Sequence, residues 1–363
     1  MRRLWLASFV LAAAAGLGEI PPGKPAPEFP AKAIWLGAGT PLSMKELKGK
    51  VVIVDFWEYT CINCIRTFPH LKALYARYHD AGLEIIGVHK GEFAFASSEK
   101  SVAAVTSAYR RFELPYPTIV DVRDAVWKLY DCSSWPDTFV VDRSGIVRGA
   151  HQGEGDYGAL EGLVQQLLKD GHPELNFSTI TIPRDAQVVG PSCGPMSDEL
   201  MIGAERGSPR RIANPEGFEP GHTVDYKATA RRTPGGFFAE GSWKNRPDDF
   251  ESAEDPKPGR KLSLGVSYKG REVYTVLDRG SREPVEVIVT RDGAPVPEPL
   301  RGKDLKARPD GQTVLVIDES RMYYVIQGED DAAHELVLSP SGKGARICSF
   351  AFGNRCLETF DKL

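Results

Sequence analysis

Beyond its first eighteen residues the chain has no apolar run approaching the ~20 residues of a membrane-spanning helix, which excludes a second hydrophobic span. It also lacks an excess of positive charge. With 45 Lys and Arg against 49 Asp and Glu, and a net charge of −4, the broad basic field that nucleic acid binding needs is absent. Histidine is scarce too, at seven residues. The pair Cys61-Ile-Asn-Cys64 finds no second pair at metal-ligand spacing among His70, His79 and His89, so tetrahedral zinc is disfavoured and no metal is expected. No short-period repeat is present, which excludes a solenoid of short units. Cysteine itself is sparse, at six in 363 residues: Cys61, Cys64, Cys132, Cys193, Cys348 and Cys356.

What is present begins with MRRLWLASFVLAAAAGLG, in which two arginines precede an apolar run from Leu4 to Leu17 with small-residue exits near Ala13 and Ala15. This is the pattern of a secretory signal over residues 1–18, and no cysteine near its exit invites a lipid anchor. An uncleaved anchor would reach the same compartment. Export to the periplasm or the extracytoplasmic face is therefore expected, where paired thiols tend to oxidise.

Residues 19–32 are proline-rich (PPGKPAPEFP) and read as an extended leader. An α/β unit follows over 33–172. Ser43 and Glu46 have the spacing of a capped helix that Gly49 would end. Val51 to Trp57 is a near-continuous apolar run, as in a strand buried on both faces. From Ile62 to Ala81 apolar residues recur at Ile65, Phe68, Leu71, Leu74, Tyr75 and Tyr78, an amphipathic helix. LEIIGVH, Glu99 to Phe112, PTIVDV, Asp124 to Tyr130, a DTFVVD/GIVRGAHQ hairpin and Asp156 to Lys169 continue as strand, helix, strand, short helix, hairpin and helix.

A linker is placed at 173–190 and an all-β sandwich at 191–363. Glycine, proline and charge dominate to about residue 260; then LSLGVSY, EVYTVL, VEVIVT, TVLVID, MYYVIQ, HELVLS and ICSFAF recur between turn signals.

With a strand ending near Trp57 and a helix starting near Cys61, Cys61 lies at a helix N-terminus, where unpaired N–H groups and the helix dipole favour a thiolate. Cys61 is the expected nucleophile. Cys64, one turn further in, is the expected resolving thiol, placed to attack a mixed disulfide formed on Cys61.

These residues resemble the thioredoxin superfamily. Asp55, six before Cys61, matches a buried acid that accepts a proton from the resolving cysteine; Pro69 matches a proline that kinks the active-site helix. Trp135-Pro136 matches the cis-proline turn that binds the partner chain, and Trp57 and Tyr59 beside the pair are assigned to the same partner surface. The long segment between LEIIGVH and PTIVDV, with LKGKVVIVDFW and PDTFVVDRSGIV, resembles the TlpA and ResA branch, which implies a thioredoxin fold with its characteristic insertion. WEYTCINCIRTFPHL, IIGVHKGEFAFA and HQGEGDY look most like DipZ-type proteins of the cytochrome c biogenesis group. SDELMIGAERG, FAEGSW and SFAFG resemble the carbohydrate-binding-module-like, jelly-roll-like domain that follows thioredoxin there.

Two positions depart from that pattern. Thr67 stands where the branch often has a glutamate, leaving acid–base work to Asp55 with Glu58 as second candidate. The multi-span membrane module of DipZ-type proteins is missing from this sequence, so electrons are expected from a separate donor of the CcdA/DsbD type. The implied activity is reduction of disulfides in exported proteins, with the Cys61/Cys64 disulfide as the only redox group and no other cofactor. A peroxidase would resemble P-x-x-x-T-x-x-C, whereas Thr60 directly precedes Cys61 and no proline lies upstream. The rival from another class is a binding module with a vestigial CxxC, in which Phe237, Phe238, Trp243, Tyr268, Tyr274, Tyr323 and Tyr324 stack on glycan or fill a core. Cys132 is open to three readings: a third redox thiol, a partner of Cys193, or an inert thiol. Cys348 and Cys356 are read as a structural bridge.

Overall fold

The computed structural model describes residues 22–177, 194–280, 283–328 and 332–354. The signal segment, most of the linker, Cys193 and Cys356 lie outside the described residues, and with them both cysteine pairings considered above.

The first unit runs β1 (Ile34–Leu36), β2 (Val51–Trp57), α1 (Ile62–Tyr78), β3 (Leu83–His89), α2 (Val102–Arg111), β4 (Thr118–Val120), α3 (Ala125–Leu129), β5 (Asp137–Val141), β6 (Val147–Gln152) and α4 (Tyr157–Lys169). Its sheet has the order β1-β4-β3-β2-β5-β6, with β2, β3 and β4 mutually parallel and β1, β5 and β6 antiparallel to their neighbours. Every residue of β2 and β3 is buried, because both faces are covered. Alternate residues serve opposite cores. Val51, Ile53 and Trp57 pack with Phe68, Leu71 and Leu74 of α1 and Leu168 of α4; Val52, Val54 and Phe56 pack with Val126 and Tyr130 around α3. Each buried leucine contributes about 1.5–3 kcal/mol relative to exposure, so this stripe fixes α1 and the residues at its start.

Two expectations change here. Ser43 and Glu46 do exchange the hydrogen bonds of a capping box, at 3.0 and 3.2 Å, but residues 44–49 form turns rather than a helix, because Gly49 at φ +91° closes the segment within two turns. The leader is no free tether. Gly23 N–H donates to Val147 O and Ala26 N–H to Gly145 O, and Phe29 is buried in the α3-side core, so the prolines lay an extended chain along the β5–β6 hairpin.

The second unit is all-β: β7 (Leu200–Met201), β8 (Thr223–Tyr226), β9 (Phe237–Asn245), β10 (Phe250–Ser252), β11 (Ser263–Lys269), β12 (Glu272–Arg279), β13 (Val285–Arg291), β14 (Ala294–Pro295), β15 (Lys306–Ala307), β16 (Thr313–Ile317), β17 (Arg321–Gln327), β18 (Ala333–Pro340) and β19 (Ala345–Gly353). These form one 13-stranded antiparallel sheet. It folds over at β9, whose first half pairs with β11 and whose second half pairs with β8 and β10. Gly241 sits at the change, at φ +88°, and a Cβ there would lie 2.7 Å from Lys261 O, so only glycine fits. The halves enclose one core in which Leu264, Val266, Val287 and Leu338 meet Val273, Leu277, Tyr323 and Phe350. Strands β8 to β10 fall where the glycine- and proline-rich composition had suggested none.

The outer face of the β17-β12-β19 half is covered by the first unit. Ile62 and Phe93 pack against Tyr274, Val276, Met322 and Cys348, which explains why β12 is buried along all but its last residue.

Candidate redox site

Cys61 is the N-cap of α1, with φ −87° and ψ 110°; its Sγ accepts the Cys64 N–H at 3.3 Å, and its own N–H donates to Glu58 O at 3.2 Å. A cysteine thus takes the place usually held by serine or aspartate, satisfying one of the N–H groups a helix start leaves unpaired. Its side chain is half-buried at the mouth of a cleft, while Cys64 lies fully behind it. Burial, then the hydrogen bond with Cys61, pushes the Cys64 thiol well above its usual range. Thr67 Oγ1 donates to Cys64 O at 2.8 Å, so at the position of the branch's frequent glutamate this chain puts a helix-bound hydroxyl.

Two carboxyl groups are buried behind the pair. Asp55, in β2, accepts a hydrogen bond from Thr138 Oγ1 at 3.0 Å; burial raises it to about 7, against the lowering effect of Thr138. Glu58 accepts the Thr60 N–H at 2.6 Å and its hydroxyl, and burial raises it to about 8. Glu58 Oε1 also lies 3.9 Å from His89 Nε2, and burial lowers His89 to about 3, which keeps the ring neutral.

Trp57 and Tyr59 do not belong to a partner surface. Trp57 is fully buried at the end of β2, edge-on to Phe68 and His89; Tyr59 is 2% exposed and stacked on His89 at 5.3 Å. The layers over β2 and β3 that make the strands apolar also close over these rings, so they support the site from behind. Trp135 stays half-buried at the cleft, against Trp127 at 4.5 Å with Lys90 Nζ 5.1 Å from its ring centre; the Trp135–Pro136 peptide is cis.

The cleft holds about 560 Å³ and lies between the two units. Cys61, Asn63 and Trp135 form one wall; Met196 to Glu199 and Ala351 to Asn354 form the other. Arg66 closes its floor. The buried guanidinium donates to Glu154 at 3.0 Å in its own unit, and to Glu272 at 3.2 Å and Tyr274 Oη at 3.1 Å in the other. Sequence reading placed neither Arg66 nor the second wall at the site, although SDELMIGAERG and SFAFG stood out as motifs of the following domain. The only local signal was Arg66 standing four residues after Ile62, on the stripe that continues the apolar side of α1.

Of the seven aromatic residues weighed as a stacking surface, all but Tyr324 are buried in the β domain. Cys348 is buried beside Ile62 at the contact between units.

Residues 22–150 match the AhpC/TSA family, and residues 197–353 the thioredoxin-like C-terminal domain family. The thioredoxin domain of a thiol-disulfide oxidoreductase from Bacteroides vulgatus is 25% identical, covering 40% of this chain and 99% of that one, with a TM-score of 0.34. Thiol-disulfide oxidoreductase ResA of Bacillus cereus is 28% identical over 145 residues, 40% of this chain and 78% of ResA. Protein DipZ of Mycobacterium bovis is 30% identical over 334 residues, which is 90% of this chain and 43% of DipZ, so the chain spans less than half the length of that relative. The chain is thus similar to thioredoxin-like proteins of the TlpA and ResA branch, with a DipZ-like succession of a thioredoxin-like unit and an all-β domain.

Proposed function

We propose that this protein is an exported thiol–disulfide oxidoreductase that reduces disulfides of exported proteins. The observation that carries the reading is the placement of Cys61, capping α1 at the mouth of a cleft with Cys64 buried directly behind it. The Cys61 thiolate attacks one sulfur of the substrate disulfide, forming a Cys61–substrate disulfide and releasing the other substrate sulfur as thiolate. Asp55, raised by burial to about 7, takes the Cys64 proton. The Cys64 thiolate then attacks Cys61 Sγ, leaving a Cys61–Cys64 disulfide and the second substrate thiolate. Two electrons have passed to the substrate, and a separate membrane dithiol donor of the CcdA/DsbD kind replaces them, reducing the Cys61–Cys64 disulfide as its own dithiol becomes a disulfide. Trp135 and Pro136 order the partner's backbone beside Cys61.

Cys61→Ser tests this against a binding module with an idle cysteine pair. Reduction of insulin by the wild-type protein with a dithiol donor, lost in the variant, is expected; equal turbidity from both proteins sinks the enzymatic reading. The AhpC/TSA match favours thiol peroxidase chemistry as a second reading. Against it, the one cation lining the cleft among the described residues, Arg66, is already held by Glu154, Glu272 and Tyr274. Peroxide consumption dependent on Cys61 and faster than disulfide reduction would reverse that order.

A further inference from the structure

The second wall of the cleft carries an unfinished strand. Along one edge β19 is paired throughout with β12. Along the other it pairs with β10 at Arg346 and Ile347, and with β7 at Ser349 and Phe350, where pairing stops. The strand itself runs on through Ala351, Phe352 and Gly353, and no described strand continues the ladder beside these residues. The chain that would have done so, Met196 to Glu199, is drawn away, because Ser197 N–H donates to Lys269 O and Ser197 Oγ accepts the Lys269 N–H. The two strands part as a fork, and both prongs line the cleft that holds Cys61.

The direction of the backbone groups follows from the ladder. Ile202 N–H donates to Cys348 O on the β7 side, and Arg271 N–H donates to Gly353 O on the opposite side. Backbone groups alternate in direction along a strand, so the N–H and C=O of Phe352 face into the fork. Its ring stays in the core, stacked on Tyr268 at 5.5 Å. The fork is also held at a fixed distance from Cys61. Ile62, the next residue, packs in the apolar cluster that Ala351 borders, and Arg66 reaches Glu272, which pairs with Gly353. Charge at the opening is one-sided. Four carboxylates, Glu92, Glu154, Asp198 and Glu199, line the cleft with one guanidinium. Arg206 pairs with Glu92, Arg66 with Glu154 and Arg211 with Asp198, so the unbalanced charge is that of Glu199 on the fork. Glu199 reaches solvent, but desolvation in the cleft and the nearby Glu92 raise its carboxyl to about 7, making it fully anionic only above neutral pH.

We propose that the cleft takes an extended, unfolded polypeptide segment with a basic side chain near its cysteine, which adds as a strand to the open edge of β19 at Ala351–Gly353 and so presents its disulfide to Cys61. Strand addition supplies main-chain hydrogen bonds without regard to sequence, while the acidic lip selects for positive neighbours. A folded protein with its disulfide on a convex surface cannot enter between two walls. The proposal rests on the oxidoreductase reading and narrows its substrate class.

The test uses the full chain and short peptides carrying one cysteine as a mixed disulfide with a small neutral thiol. At about pH 8.5, where Glu199 is ionised, a lysine-flanked peptide is expected to be reduced with kcat/KM at least about tenfold above its glutamate-flanked counterpart at low salt, the ratio shrinking as salt rises. Glu199→Lys is expected to level or invert that ratio. Main-chain N-methylation, scanned along the lysine peptide, is expected to cost about tenfold or more at the one position whose N–H meets the Phe352 carbonyl and little at its two neighbours, whose N–H groups point away from β19. Loss at no position, or a similar loss at every position, or equal kcat/KM for a folded protein with a surface disulfide, overturns the inference while leaving the oxidoreductase reading intact. Reduction of none of these substrates overturns that reading and the inference with it.

Discussion

Arg66 Nη2 lies 3.2 Å from Glu272 Oε2, tying the helix that starts at Cys61 to a strand 206 residues away in sequence. Both side chains are buried, at 6% and 1% exposure, and Tyr274 Oη donates to the other oxygen of Glu272 at 2.7 Å while accepting from Arg66. A buried guanidinium with three partners holds the two walls of the cleft together. Removing one member strands the others away from water, at a cost of about 3–5 kcal/mol. Arg66→Met is therefore expected to lower the unfolding free energy of the full chain by that amount in urea. Adding Glu272→Gln should restore part of the loss, because the stranded carboxylate is then gone. If the double variant is as unstable as the sum of the singles, the pair is not coupled as the geometry indicates.

Asp55 is a group the fold would be better off without. Its carboxyl titrates near 3.8 when unfolded and about 7 in the folded protein, so between these values the folded state binds the extra proton. Stability then falls as pH rises through that window. Above pH 7 the penalty amounts to about 4 kcal/mol. Asp55→Asn is expected to stabilise the protein by up to this amount at pH 8 and by almost nothing at pH 3.5. Disulfide reduction should drop by roughly 10²-fold, the usual worth of a positioned proton acceptor. Denaturant unfolding at the two pH values checks the first statement, stopped-flow reduction the second. A variant stabilised at pH 8 with full activity would remove Asp55 from the mechanism.

The parts of the site legible in the sequence are those set by local pattern. Val51 to Trp57 reads as a doubly covered strand because its neighbours in sequence are apolar, and Cys61 reads as a helix start because the α1 stripe begins just after it. The burial of Trp57 and Tyr59 was harder to see, since adjacency to a reactive cysteine looks the same whether a ring points outward or beneath Phe95 and His89. The second wall was not readable at all. Met196 to Glu199 and Ala351 to Asn354 acquire meaning only when the sheet folds over at Gly241 and the outer face of β12 and β19 meets α1. No periodicity records a contact made over two hundred residues.

Glu58 offers a way to separate the two buried acids. Raised to about 8, it is protonated at neutral pH, held by the Thr60 N–H and hydroxyl, with neutral His89 beside it. The Glu58 carbonyl also receives the Cys61 N–H, so its side chain belongs to the wall behind the nucleophile. Ionisation of Glu58 between pH 7 and 9 puts a negative charge near the pair, where it opposes formation of a second one on sulfur. Glu58→Gln keeps the shape and removes that charge. At pH 6.5 its kcat/KM should match the wild type within about twofold. At pH 9 it should exceed the wild type by about fivefold, the factor equivalent to a like-charge repulsion of roughly 1 kcal/mol. The same variant should also lose the part of the wild-type fall in stability that runs from about pH 4.5 to 8, because over that window the folded state holds a proton on Glu58 that the unfolded state has released. Parallel pH profiles for the two proteins, in rate and in stability, would show that Glu58 serves only to anchor Thr60.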